Sequence, residues 1–244
     1  MTPPGPLDHR TRIKICGLTR EEDLDAAVDA GADAVGFVLW AKSPRCVSAR
    51  RAGELSRRLP PFVTPVLLFV NASDEEVRTG CDAVPAALLQ FHGDETPQRC
   101  LELARGRPYM RAARVPLDSS VPFDLLEFVD LHSQARAVLV DAHVDGYGGS
   151  GKTFEWSRLP TNVDCHLVLS GGLTPANVTD GIVQVRPRCK TLAVDVSSGV
   201  EAVSAEGAAL KGIKDAAKIH RFVAAVRAAD VLLARSTHAL LSST

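Results

Sequence analysis

The chain has 244 residues, a formal net charge of -1 and 45% hydrophobic residues. That is apolar material for one large core, and a charge too balanced for the basic field that nucleic-acid binding needs. No apolar run reaches the roughly 18 residues of a membrane span, and Met1 to Thr11 is Pro-rich without a signal-peptide core, so a cytoplasmic protein with no membrane or nucleic-acid partner is expected.

A β-rich run, Arg12 to Gly17, comes first, followed by helical spacing over Glu22 to Ala30. The pair then repeats: strand Ala34 to Leu39 with helix Ala49 to Leu59, strand Val66 to Val70 with helix Asp74 to Cys81, and strand Ala87 to Phe91 with helix Pro97 to Ala104. The arginines of the second helix, Arg50, Arg51, Arg57 and Arg58, read as a solvated face. Strand Met110 to Val115 precedes helix Phe123 to Ala135, and strand Ala137 to Asp141 is sixth. After it Pro160 leaves room for a short helix at best; strands His166 to Ser170 and Thr191 to Val196 follow, with helices Pro175 to Val183 and Asp215 to Ala229.

Helix starts are marked independently of periodicity. Thr19 with Glu22 and Ser73 with Glu76 fit capping boxes, and Thr96 before Pro97 and Thr174 before Pro175 fit an N-cap followed by proline. Strands that alternate with helices form a parallel sheet covered by those helices. Eight repeats without an internal linker predict an α/β fold, a single (β/α)8 TIM barrel with its active site at the C-terminal strand ends, with an open doubly wound sheet as the alternative. The barrel is expected over 12–229, after a loosely ordered segment 1–11 and before a tail 230–244 that extends the last helix or stays disordered.

Polar residues on such apolar strands carry information, because side chains alternate faces. Lys14 and Cys16 share one face of the first strand, Asp141 ends the sixth and Asp195 lies near the end of the eighth. Each is either part of a reactive mouth or a lumen residue paired with a neighbour such as Lys14. The six cysteines fall in no close pair of the zinc or redox kind, and most read as small buried hydrophobes.

Gly146 to Thr153, GYGGSGKT, matches the letters of a nucleotide-hydrolase phosphate loop, yet only seven residues, Thr153 to Leu159, separate it from Pro160, where such a loop needs a long helix. A mobile Gly-rich loop over a barrel mouth fits better. The turns Ser170-Gly171-Gly172 and Ser197-Ser198-Gly199, after strands seven and eight, suit a phosphate, since their backbone amides are unobstructed and barrels hold phosphate there; ordinary tight turns are the alternative.

Taken together, KICGLT at Lys14 to Thr19, GADAVGF at Gly31 to Phe37, SPR at Ser43 to Arg45, LFVN at Leu68 to Asn71 and QFHGDE at Gln90 to Glu95 form an ordered set of blocks. VDA at Val140 to Ala142, GGSGKTFEW at Gly148 to Trp156, SGGLTPANV at Ser170 to Val178, VDVSSGVE at Val194 to Glu201 and KD at Lys214 and Asp215 continue it. From about Arg12 to Phe222 the chain thereby resembles phosphoribosylanthranilate isomerase of tryptophan biosynthesis. The resemblance implies an Amadori rearrangement of N-(5-phosphoribosyl)anthranilate to 1-(2-carboxyphenylamino)-1-deoxyribulose 5-phosphate, with no cofactor and no metal, on a small phosphorylated substrate, by a monomer or homodimer.

It further implies Cys16 as general base and Asp141 as general acid, Arg45 as the clamp on the anthranilate carboxylate, and Asp195 as a group that positions substrate hydroxyl or amino groups. His92 joins the substrate-binding set as a hydrogen-bonding residue rather than a catalyst. Gly171, Gly172, Ser197, Ser198 and Gly199 would hold the phosphate, with Gly149, Ser150 and Gly151 closing over it. A useful Cys16 base requires a depressed thiol pKa, and Asp141 must keep its proton at neutral pH. The chain departs from the family at Cys46, where an aromatic residue is usual, at Phe91, where leucine is common, and in an Ala-rich insertion, Ala202 to Gly212. Two other readings compete: a different phosphate-binding barrel isomerase or epimerase, and a non-enzymatic barrel that senses an aromatic metabolite.

Overall fold

The computed structural model describes residues 10–118, 120–143 and 155–241. Eight parallel strands, β1 (Arg12–Cys16), β2 (Ala34–Val38), β3 (Thr64–Phe69), β4 (Leu88–Phe91), β5 (Tyr109–Pro116), β6 (Ala137–His143), β7 (Val163–Leu169) and β8 (Cys189–Val196), close into a barrel through the pairing of β1 with β8. Among the described residues seven α-helices cover it: α1 (Glu21–Asp29), α2 (Ala49–Ser56), α3 (Asp74–Ala83), α4 (Pro97–Ala104), α5 (Leu125–Leu131), α6 (Val178–Val185) and α7 (Ala216–Leu241). Between β6 and β7 the described chain forms only a 3-10 turn, Trp156–Arg158. A phosphate loop needs a long helix at that point, so the nucleotide-hydrolase reading of the preceding glycine run fails.

Alternation divides each strand between two cores. Ile13 and Ile15 point outward into the layer between sheet and helices, in one cluster with Leu24, Phe37, Ile219 and Phe222, and each such burial contributes about 1.5–3 kcal/mol. Facing inward, Val66, Met110, Ala112, Leu139 and Val168 fill the lower lumen. Above this plug a smaller cluster, Cys16, Val38, Leu68 and Val70, forms the apolar part of the upper lumen. The register sets Lys14 beside Asp195, two buried charges on adjacent strands.

Helix starts follow local chemistry, with two differences from expectation. Ser73 and Glu76 form the reciprocal capping box, and Thr96 accepts from Arg99 N ahead of Pro97. Thr19, however, caps nothing: α1 starts after Arg20, and the Thr19 hydroxyl donates to Gly212 O at 2.8 Å. At Thr174 a turn comes first, because the Asn177 side chain accepts from Thr174 N at 2.7 Å and donates to Gly172 O at 3.0 Å, and α6 begins only at Val178.

The Ala-rich insertion is a hairpin, β9 (Glu201–Val203) against β10 (Ala209–Lys214), turning at Gly207 with φ 84°. It has an accepted place in the structure because it returns Gly212 N to Glu201 Oε1 at 2.9 Å and sets Lys214 below the barrel mouth. At the other end Thr11 is buried and bonds Asp230 on α7 through its hydroxyl at 2.6 Å. Residues 230–241 continue α7, and residues 1–9 lie outside the described part of the chain.

One buried ring makes stability depend on pH. His132, at the end of α5, stacks on Phe128 at 4.5 Å, and its Nδ1 has no hydrogen-bond partner among the described residues. Burial, helped by the Arg111 charge, pushes its pKa down to about 4. The unfolded chain then binds a proton that the folded chain refuses between about pH 6.5 and 4, so stability is complete above that window and falls as pH drops through it. Acid-side denaturation of His132→Leu is expected to lose up to about 2–3 kcal/mol of this slope. An unchanged slope in urea melts at pH 7 and pH 4.5 would show that another group carries it.

Candidate active site

At the C-terminal ends of the strands a cavity of about 370 Å³ opens between the upper lumen and the loops. Cys16 from β1, Gln90 from β4 with His92 just after it, Asp141 from β6 and Asp195 from β8 all line it, so residues from four strands far apart in sequence converge. One wall is apolar, made by Val38, Trp40, Leu68 and Val70. The opposite rim is the pair of turns Ser170 to Leu173 and Ser197 to Ser198.

Lys14 lies beneath Cys16 and donates to Asp195 Oδ1 at 2.8 Å, while Ser170 Oγ donates to Asp195 Oδ2 at 3.4 Å. Burial opposes the charge on Lys14, yet Asp195 and Cys16 together raise its pKa, so it is a fixed ammonium. For Cys16 the balance runs the other way: burial, larger than the pull of Lys14, raises the thiol. This corrects the expectation of a depressed thiol, because the desolvation of a thiolate, reinforced by the Asp195 charge, outweighs the Lys14 and Lys214 cations. Asp195 is thus the partner of Lys14, the pairing that its place on the lumen face allowed.

Gln90 on β4 and His92, which directly follows that strand, reach Asp141 in a chain. Gln90 Nε2 meets His92 Nδ1 at 3.0 Å, and His92 Nε2 meets Asp141 Oδ2 at 3.1 Å. The other oxygen, Oδ1, lies toward Gly171, where a Cβ would come within 2.6 Å of it. Gly171 has φ +80°, so both its backbone conformation and its closeness to the carboxyl demand glycine.

Arg45 sits in the loop between β2 and α2 and is held by Glu201, Nε to Oε1 at 2.6 Å and Nη2 to Oε2 at 2.9 Å. Its Nη1 makes no hydrogen bond among the described residues, and the side chain borders the cavity. Glu201 also accepts from Lys214 Nζ at 3.3 Å, and although burial opposes its charge, these cations hold its carboxyl below the usual range. Lys214 in turn donates to Ser197 O at 2.9 Å and to Ser197 Oγ at 3.3 Å. One carboxylate therefore ties the Arg45 loop, the hairpin and the turn after β8 together.

The two rim turns touch each other. A Cβ on Gly199 would stand 1.9 Å from Leu173 O, so only glycine allows the turn after β8 to close on the turn after β7. Gly171, Gly172, Ser197 and Ser198 border the cavity, and a 3-10 turn begins at Ser198. Gly149, Ser150 and Gly151 lie outside the described residues. Among the described residues no cluster of three metal-ligating side chains occurs, and no helix is long and apolar enough to cross a membrane.

Reading the sequence left Gln90, Glu201 and Lys214 without roles, although each stood in a quoted block. The signal for Gln90 was available: it sits two residues from His92 on a strand that is otherwise apolar, the spacing that singled out Lys14 and Cys16. Nothing comparable marked the Arg45 and Glu201 pair, which spans 156 positions.

Residues 13–225 match the family model of N-(5'-phosphoribosyl)anthranilate (PRA) isomerase. An N-(5'-phosphoribosyl)anthranilate isomerase of Methylibium petroleiphilum is 60% identical over 227 residues, 93% of this chain and 99% of that protein. The crystal structure of phosphoribosyl anthranilate isomerase from Thermotoga maritima superposes with a TM-score of 0.76 at 39% identity, over 89% of this chain and 99% of that one. A phosphoribosyl anthranilate isomerase in complex with reduced 1-(o-carboxyphenylamino)-1-deoxyribulose 5-phosphate does so with a TM-score of 0.68 at 34% identity, over 89% and 99%.

Proposed function

The chain belongs to the phosphoribosylanthranilate isomerase family of tryptophan biosynthesis, and from that premise we propose how its own residues divide the reaction between them. Asp141 is the general acid: it protonates the furanose oxygen as the C1–O bond breaks, leaving an open-chain iminium. Cys16 is the general base: it takes the C2 proton, and the C–H electrons form the C1=C2 bond of an enolamine. Ketonisation then places a proton on C1 and releases one from the C2 hydroxyl, so the rearrangement is internally balanced and needs no external oxidant. The observation that carries this reading is the shared cavity of Cys16 and Asp141, contributed by β1 and β6.

The raised thiol bears directly on timing. Burial outweighs Lys14 and raises the Cys16 thiol, which favours its protonated form. Ring opening creates a cation on the substrate itself, and that charge together with the Lys14 ammonium makes a thiolate tolerable at the moment it is needed. The base is thus switched on by the step that the acid performs. Asp195 holds Lys14 in place and offers its Ser170-bonded side to substrate polar groups.

The apolar wall of Val38, Trp40, Leu68 and Val70 suits the anthranilate ring, and Arg45, steadied by Glu201, offers Nη1 to its carboxylate. Gly171, Gly172, Ser197, Ser198 and Gly199 cradle the phosphate through backbone amides, with Lys214 beneath Ser197 adding positive charge. The test is turnover: the protein, mixed with freshly generated phosphoribosylanthranilate, should abolish that compound's fluorescence. Inactivity there, with turnover of the aminated ribotide of histidine synthesis, would assign the cavity to another isomerase.

In the same assay Arg45→Ala is expected to raise KM about 10- to 150-fold, the worth of about 1.5–3 kcal/mol for a hydrogen bond to a charged partner, while kcat changes little. A fall in kcat at constant KM would place Arg45 in the transition state instead.

A further inference from the structure

The chain Gln90, His92, Asp141 fixes more than position. A neutral imidazole carries one proton, and the partner of one nitrogen decides which it is. Gln90 is buried, and its Nε2, a nitrogen that can only donate, lies 3.0 Å from His92 Nδ1. Nδ1 is therefore an acceptor, Nε2 bears the proton, and that N–H donates to Asp141 Oδ2.

We propose that Gln90 and His92 are a positioning pair that selects the oxygen of Asp141 from which the proton is delivered. With Oδ2 capped by the imidazole N–H, the transferable proton is confined to Oδ1, the oxygen on the Gly171 side of the cavity. The opposite tautomer would leave a bare Nε2 facing the carboxyl, hold the acid proton on Oδ2 against the ring, and turn it away from substrate. Once the proton has left Oδ1, the N–H bond to the new carboxylate becomes charge-assisted, so the pair is worth more after transfer than before it.

The proposal rests on Asp141 as the general acid, and its test separates the two. In uniformly 15N-labelled enzyme at neutral pH, long-range 1H–15N correlations should show His92 with Nε2 protonated and Nδ1 bare. A ring protonated at Nδ1, or at both nitrogens, overturns the proposal, and this needs no variant to fold. Gln90→Glu replaces the donor with an acceptor and should move the ring proton to Nδ1. Its kcat should then fall about 100-fold, with KM within about twofold, as expected when a general acid is disabled without loss of binding. Gln90→Met, which only deletes the donor, should lose less and retain part of the Nε2–H form. A folded Gln90→Glu enzyme with a switched ring and full kcat overturns the proposal even if the resting tautomer is as expected. Should Asp141→Asn keep full activity, the acid assignment fails while the tautomer result stands.

Discussion

Cys16→Ser is expected to lower kcat by about 10³-fold and to leave the thermal midpoint nearly unchanged. A serine hydroxyl is nearly isosteric with the thiol and can still accept from Lys14, so the small buried site keeps its packing. What changes is acidity. A thiol ionises near pH 8.5, whereas a hydroxyl does not ionise in the accessible range, and neither Lys14 nor the substrate iminium supplies enough charge to close that gap. The same logic gives a pH dependence with a definite sign. Because Cys16 in the free enzyme is raised rather than depressed, kcat/KM should climb through neutral pH and on into the alkaline range. Lys14→Met removes the larger of the two offsetting cations and should move that rise further up. If Cys16→Ser turned over at the parental rate, or if kcat/KM were flat from pH 7 to 9, another group would be the base.

The architecture was legible because two periods coexist in the chain. Strands such as Arg12 to Cys16 alternate cleanly between Ile13 and Ile15 outward and Lys14 and Cys16 inward, and the intervening segments carry helical spacing. Pro160 likewise left room for a short helix at best before β7, and the described part of that connection holds a 3-10 turn. The hairpin 201–214 was not legible: its residues 204–211 are mostly exposed, so no buried face imposes a period-2 pattern on them.

Within the cavity the catalytic candidates were visible as polar residues at strand ends, but their electrostatic state was not. The fork of Arg45 is taken up by Glu201, and Cys16 is raised, because both outcomes depend on burial and on partners that local spacing does not reveal. His92 was foreseen as a hydrogen-bonding residue. That its partners are Gln90 on one side and Asp141 on the other follows only from the closure of the barrel, which brings β4 and β6 within reach across the lumen.

Asp141→Asn should remove turnover to a similar degree, about 10²- to 10⁴-fold in kcat, for a different reason and at a different step. The amide oxygen can take the place of Oδ2 and keep the bond from His92 Nε2, so the fold should hold. Asp141→Ala, by contrast, strands that buried N–H and should lose about 1–3 kcal/mol of stability as well. In the asparagine variant the group facing Gly171 has no acidic proton to give, and ring opening becomes the slow step. Since Cys16 acts only after the ring has opened, adding Cys16→Ser to Asp141→Asn should reduce kcat far less than it does alone. Stopped turnover of the double variant at the product of the two single losses would mean that acid and base act in one concerted step. A double variant close to Asp141→Asn alone would establish that the iminium is formed first and that its charge precedes the thiolate.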